Sequence, residues 1–286
     1  MYSATIQNRG GEALELTGHE DQWQVVSITG LNPPPARVNL TDIAGLDGSR
    51  FNSSKLNTRN IVVTLRVRGD AEANRLRLYQ FFRTKELCRF FFENGSRDVY
   101  IDGYVETVES DLFSMAELVQ ASIICPDPMF RSVSGNVVDI SDLEPLFSFP
   151  FAINSGSPVA LSTFTVGRET AVVNASESVT GMEITVTFLD DVNKLKIICE
   201  STGEYIELTY AFQEADVVVI NTNPGRKSVT LHRSGTETNI FGALSISSTF
   251  MQLEPGANVF SYTADTGDSD GDVVILVTFN NAFRGV

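Results

Sequence analysis

The sequence predicts a mainly β protein of two domains, on three observations. Its 286 residues suit two domains of ordinary size better than one. Short β-type runs separated by turn residues recur along the whole chain. Only one stretch carries helix signals, and it lies in the first half.

The first half opens on β-type runs such as WQVVSI, from Trp23 to Ile28. A loop-like stretch follows, with NPPP at Asn32 to Pro35 and GLDGSRFNSSKLN at Gly45 to Asn57. Three consecutive prolines continue neither a helix nor a central strand. Asp47-Gly48 is a turn signal, because glycine supplies the positive φ of a tight hairpin.

The clearest strand is NIVVTLRVR, Asn60 to Arg68. Strict alternation puts Ile61, Val63, Leu65 and Val67 on one face, and Val62, Thr64, Arg66 and Arg68 on the other. The spacing then predicts a helix from Ala71 to about Glu86, capped by Asp70, with Leu78 and Phe82 meeting one turn apart. CRFFFEN and VYIDGYVETVES follow as strand, turn and strand, with Asp102-Gly103 marking a second turn or a bulge. LVQASIIC ends at Pro126 and Pro128. The expected unit is an α+β domain over residues 1–133: a β-sandwich-like sheet with one helix and an extended hairpin or loop.

Residues 134–157 lack helix signals and contain several Ser, Pro and Gly, so a linker is expected there. Beyond it, MEITVTF, KLKIIC, YIELTYAF, DVVVINT, SVTLHR, ANVFSYT and VVILVTF are strands separated by turns such as NTNPG and EPGAN. Residues 158–286 are therefore expected to form an antiparallel sandwich.

Composition narrows the function. Net charge is −15, with −4 on residues 1–139 and −11 on residues 140–286. Neutralising many phosphates needs the opposite sign, so sequence-specific nucleic-acid binding is disfavoured. No run approaches the ~20 apolar residues of a membrane span. The N-terminus has no basic segment followed by an apolar block, so a secretory signal is not expected.

Catalytic signatures are absent too. The two histidines, His19 and His232, lie in different halves. No nucleophile elbow, phosphate-binding loop, dinucleotide fingerprint or HExxH motif occurs. Cys88, Cys125 and Cys199 have neither metal nor redox spacing, which suits reduced, buried thiols. No cofactor and no enzymatic activity are expected. Asp268, Asp270 and Asp272 resemble half of a calcium loop but lack its distal glutamate and helical flanks. A solvated acidic turn between two strands is therefore the expected reading, with no metal site.

Several segments, taken together, resemble the distal tail protein family of siphophages. They are GLDGSRF, NTRNIVVTLRVRGD, NRLRLYQFF, the RxxYIxGYV pattern from Arg97 to Val105, and CPDP from Cys125 to Pro128. Near the end, FMQLEPGANVFSYTAD, with its LxPGxN turn, and VVILVTFNNAFRGV complete the likeness, which runs over nearly all of the chain.

The resemblance implies a structural virion protein at the distal end of the tail. Its first domain would form a homohexameric ring that continues the tail tube, lets DNA pass and joins the hub. Its second domain would be galectin-like and project outward. The partners implied are further copies of the chain, the tail tube protein, a tail-associated hub or lysin protein, and a receptor-binding protein. The Trp, His, Asn and Arg pattern of sugar-binding galectins is missing. Asp47, Gly48, Ser49, Arg50, Arg66 and Arg68 are the expected subunit-interface residues. The alternatives are a carbohydrate-binding accessory tail protein, a glycan-degrading tail enzyme, and a component of a contractile or prophage-derived particle.

Overall fold

In the computed structural model, the residues described are 2–45, 47–114, 116–141, 143–145, 162–164, 169–265 and 273–286. The chain is mainly β, as expected, and divides into two units. Residues 1–134 and 282–286 form the first, and residues 135–281 the second. The last five residues therefore return to the first unit instead of ending the second.

The first unit is built from β1 (Ser3–Asn8), β2 (Ala13–Glu15), β3 (Trp23–Thr29), β4 (Ala36–Asp42), β5 (Ser49–Leu56), β6 (Arg59–Val67), α1 (Ala71–Phe81), β7 (Leu87–Glu93), β8 (Asp98–Ser110), β9 (Leu118–Cys125) and β10 (Phe130–Ser132). Its main sheet runs β2-β1-β7-β8-β9-β6-β3, entirely antiparallel. The alternation anticipated in β6 holds. Ile61, Val63, Leu65 and Val67 are buried, whereas Asn60 and Arg66 are exposed. Trp23, Leu78, Phe90, Val99, Ile101 and Ile123 join them in one core.

Helix α1 begins where its cap predicts, with Ala73 N–H donating to Asp70 Oδ1 at 3.2 Å. It stops at Phe81, about a turn earlier than the spacing suggests. The cause is competition for backbone. Lys85 takes a positive φ of 69° and its N–H donates to Val105 O at 2.9 Å, while Glu86 O accepts from Val105 N–H. Strand β8 captures the segment that would have made the last helical turn.

The turn or bulge expected at Asp102-Gly103 does not form, since β8 runs unbroken through it. A Cβ at Gly103 would lie 2.6 Å from Ile123 Cγ2 and 2.9 Å from Cys125 Sγ. Glycine is required there for close approach, not for turning. The irregularity falls two residues later, between Val105 and Thr107.

Arg59 is the structural surprise. It is 2% exposed, yet it forms no ion pair with a carboxylate among the described residues. Its guanidinium donates to backbone carbonyls of Gly30, Asn32 (2.6 Å), Pro128 (2.8 Å) and Arg284 (2.6 Å), and lies 4.4 Å from the Phe130 ring centre. Burial lowers its pKa, but guanidinium keeps its charge at neutral pH. One side chain thus ties β6 to three distant segments, including the returning end of the chain. Arg97 helps by donating to Gly285 O at 2.5 Å and lying over the Phe283 ring.

The second unit comprises β11 (Asn136–Asp139), β12 (Leu143–Pro145), β13 (Ser162–Phe164), β14 (Thr170–Asn174), β15 (Glu183–Phe188), β16 (Val192–Cys199), β17 (Glu204–Phe212), β18 (Val217–Asn221), β19 (Ser228–Arg233), β20 (Thr236–Asn239), β21 (Gly256–Asp265) and β22 (Val273–Phe279). The remaining strand, β23 (Ala282–Phe283), pairs with β10 in the first unit. A six-stranded sheet, β11-β22-β15-β18-β19-β20, shares one core with a four-stranded sheet, β14-β21-β16-β17. Stacking of Phe188 on Phe212, at 4.3 Å and 11°, bridges the two. The segment 134–157, expected as a linker, begins with structure of its own. Strand β11 pairs with β22, and β12 pairs with β13. Residues 146–157 lie outside the described residues.

An ion pair pins the turn before β18. Arg233 Nε donates to Asp216 Oδ1 at 2.8 Å, and Gln213 N–H donates to Asp216 Oδ2 at 2.8 Å. The Arg233 guanidinium, aided by that N–H, holds the Asp216 carboxyl below its usual range. A carboxyl depressed in the fold adds stability that is complete above its unfolded pKa of about 4 and is lost as pH falls through the lower folded value. Wild type should therefore lose more stability than Asp216→Asn between neutral pH and about pH 2. Urea midpoints measured across that range check this; parallel curves would remove Asp216 from the account.

Candidate assembly surface

Nothing among the described residues forms a reactive centre. No group of three or more His, Cys, Asp or Glu is placed to hold a metal there. The aspartates at 268, 270 and 272 lie outside the described residues. His232 is an exposed strand residue opposite Val217 and Glu237, and His19 packs 5.8 Å from the Trp23 ring. Burial pushes the Cys88 and Cys125 thiols up to about 12, so neither is a thiolate at neutral pH. A cavity of about 460 Å³ in the first unit is lined by Ala4, Val25, Ile28, Leu31 and Phe92 among others, with no charged side chain. No helix among the described residues is long and apolar enough to cross a membrane.

The conspicuous surface is the β4–β5 hairpin, one of the two forms, hairpin or loop, expected for this stretch. It forms a two-stranded sheet of its own, paired from Ala36↔Leu56 to Asp42↔Ser49 with a one-residue register shift between Asn39 and Leu40. Every residue of both strands is exposed. Polar ties hold it: Asn39 Nδ2 to Ser53 Oγ at 2.9 Å, Asn52 Nδ2 to Thr41 Oγ1 at 2.6 Å, and Ser49 Oγ to Asp42 Oδ1 at 2.6 Å. Between them Val38, Leu40 and Phe51 stand more than half in solvent. A lone two-stranded ribbon is at best marginally stable in water, and grouped exposed apolar side chains mark an interaction surface.

The six residues expected at a subunit contact fall into two places. Asp47 and Gly48 (φ 88°) lie in the turn joining β4 to β5, and Ser49 and Arg50 open β5. Arg66 is exposed on β6, opposite Gln24 of the edge strand β3. Arg68 is engaged within its own unit, donating to Gln24 Oε1 at 2.6 Å. Among the described residues, no hydrogen bond or ion pair joins the hairpin tip to either arginine. Sequence reasoning missed the apolar positions Val38, Leu40 and Phe51. Their only signal is weak alternation inside an Asn- and Ser-rich stretch.

The described chain is thus two mainly β units with an exposed two-stranded arm on the first. Residues 175–283 match the family described as siphovirus-type tail component, C-terminal domain. Over the whole chain the fold is that of SPP1 Dit (gp 19.1), described as a paradigm of the hub adsorption apparatus in phages infecting Gram-positive hosts. The TM-score is 0.70 at 18% identity, covering 98% of this chain and 99% of that one. Chains of the phage P2 baseplate in its activated conformation, with Ca and with Sr, give TM-scores of 0.53 and 0.55. Their identities are 9% and 10%, and each alignment covers 97% of this chain and 98% of the other. No curated protein sequence matches the chain. The resemblance to siphophage distal tail proteins thus rests on the family match in the second unit and on the fold of the entire chain.

Proposed function

We propose that this protein is a structural component of the distal end of a siphophage tail. Six copies form a ring that joins the tail tube to the hub and leaves a passage for DNA. The observation that carries the reading is the β4–β5 arm, whose exposed apolar side chains have no core of their own. A closed ring gives each arm a neighbour to cover it. The whole-chain likeness to SPP1 Dit supports the same reading. The partners are other copies of the chain, the tail tube protein, a hub or lysin protein and a receptor-binding protein. The role is architectural, with no catalytic step.

In this reading Asp47, Gly48, Ser49 and Arg50 meet the neighbouring copy at the arm's tip, Arg66 offers it a guanidinium group, and Arg68, bonded to Gln24, flanks that contact. Negative-stain electron microscopy of the concentrated protein is expected to show sixfold rings with an open centre. Particles of another closed symmetry without a pore would overturn the proposal. Arg66→Glu is expected to weaken ring formation with little change in monomer stability, because the side chain is exposed. Rings formed as readily by Arg66→Glu would remove Arg66 from the interface.

A further inference from the structure

The second unit ends its larger sheet in a short strand that is open to solvent. Strand β20 is the outermost of the six and is hydrogen-bonded on one side, to β19. All four of its residues are exposed. Its outer backbone groups are thus available at strand spacing, which is what an added strand recognises.

An aromatic and basic patch sits at the end of this edge. Thr230 faces Asn239, and Ile240 N–H donates to Val229 O, so the register carries β19 back towards Lys227 as β20 runs into Phe241. The Phe241 and Phe250 rings stack at 5.7 Å and 20°, and Lys227 Nζ lies 5.3 Å from the Phe250 ring centre. Phe241 is 48% exposed, and Ile246, in the turn that follows, is wholly in solvent.

Charge selects the ligand. Residues 135–281 contain six Lys or Arg against nineteen Asp or Glu. Among the described cations, Lys194 and Arg233 are held in ion pairs with Glu207 and Asp216, and Lys196 lies over Tyr205. Arg226 and Lys227 are consecutive, exposed and in no ion pair among the described residues. Acidic side chains outnumber basic ones across this unit, Glu237 on β20 included, so the adjacent Arg226 and Lys227 are what an acidic chain would be drawn to.

We propose that this corner docks an extended acidic peptide segment of a partner protein. The segment adds as a strand along β20, sets an apolar side chain on the Phe241 and Phe250 stack, and brings its carboxylates to Arg226 and Lys227. A sheet edge offers a row of backbone donors and acceptors that suits a peptide and not a sugar, and the surrounding negative charge disfavours an anionic membrane. The site does not depend on ring formation.

The test is fluorescence anisotropy with the full chain and a labelled synthetic peptide of about eight residues, an ordinary strand length. The peptide alternates Asp or Glu with Leu or Phe. Saturable binding is expected. It should weaken at least about tenfold for a version with Lys in place of the acids, and for one with a central proline that breaks the ladder. The double change Arg226→Glu and Lys227→Glu should also weaken it at least about tenfold, as should Phe241→Ser. Arg226 and Lys227 are exposed, so the charge reversal tests the site even if Phe241→Ser perturbs folding. Absence of saturable binding by the acidic peptide would overturn the proposal. So would equal binding of the lysine version, or wild-type affinity in the charge-reversed protein.

Discussion

Replacing Arg59 with leucine is expected to cost the first unit about 3–5 kcal/mol, because four hydrogen bonds from a charged donor are lost at about 1 kcal/mol or more each. The side chain donates to carbonyls of Gly30, Asn32, Pro128 and Arg284, contributed by segments far apart in sequence. Leucine fills some of the volume but donates nothing, so four part-buried acceptors lose their partner. Lysine keeps the charge without the planar fork and should rescue only a small part. Trp23 is the sole tryptophan and is buried in this unit, so its fluorescence during urea unfolding reports the affected transition. A midpoint shift of more than about 1 M is expected for typical urea slopes. A loss below about 1 kcal/mol, the worth of one ordinary hydrogen bond, would mean that water takes over the carbonyls and the clasp is dispensable.

Phe188→Ala is the corresponding experiment in the second unit. Phe188 is fully buried, and its stacking on Phe212 connects strands of the two sheets. Removing a core phenylalanine costs about 3–5 kcal/mol through lost transfer energy and the cavity left behind. Circular dichroism during urea unfolding should show the second unit melting early while the Trp23 signal keeps its midpoint. Phe188→Leu should lose less than half as much, because most of the volume is retained. If both variants moved the Trp23 transition by the same amount as the circular dichroism, the two units would be one cooperative block and the division would carry no energetic meaning.

The parts of the fold legible in the sequence are those where one face meets a core. Strand β6 has alternating Ile61, Val63, Leu65 and Val67, and β15 has Ile184, Val186 and Phe188; both patterns survive in the burial. The hairpin was harder because both faces of β4 and β5 are in solvent, so no two-residue period of burial constrains their composition. Asp102-Gly103 misleads for another reason. A glycine needed so that Ile123 and Cys125 can pack against the backbone has the same letters as a turn. Arg59 gives no signal at all, because its partners are backbone carbonyls, which every residue possesses. The short strand β11 is hidden as well, being an edge strand of two valines between polar residues.

Of the candidate interface, the turn glycine at 48 and the exposure of Arg66 were legible. Which side chain a neighbour would touch is set by another chain's surface. The Arg68 bond to Gln24 shows how an apparently available cation can be used at home.

The return of residues 282–286 to the first unit makes the second unit an insertion, entered at residue 135 and left at residue 281. The two connecting ends are anchored side by side, because β10 and β23 pair with each other and Arg59 grips the carbonyl of Arg284. A protease that nicks the inserted unit once therefore detaches neither fragment, since each remains rooted in the first unit by one end. A particle that spends time outside a cell gains a protein that survives its first cut, and complete shedding of the second unit takes two.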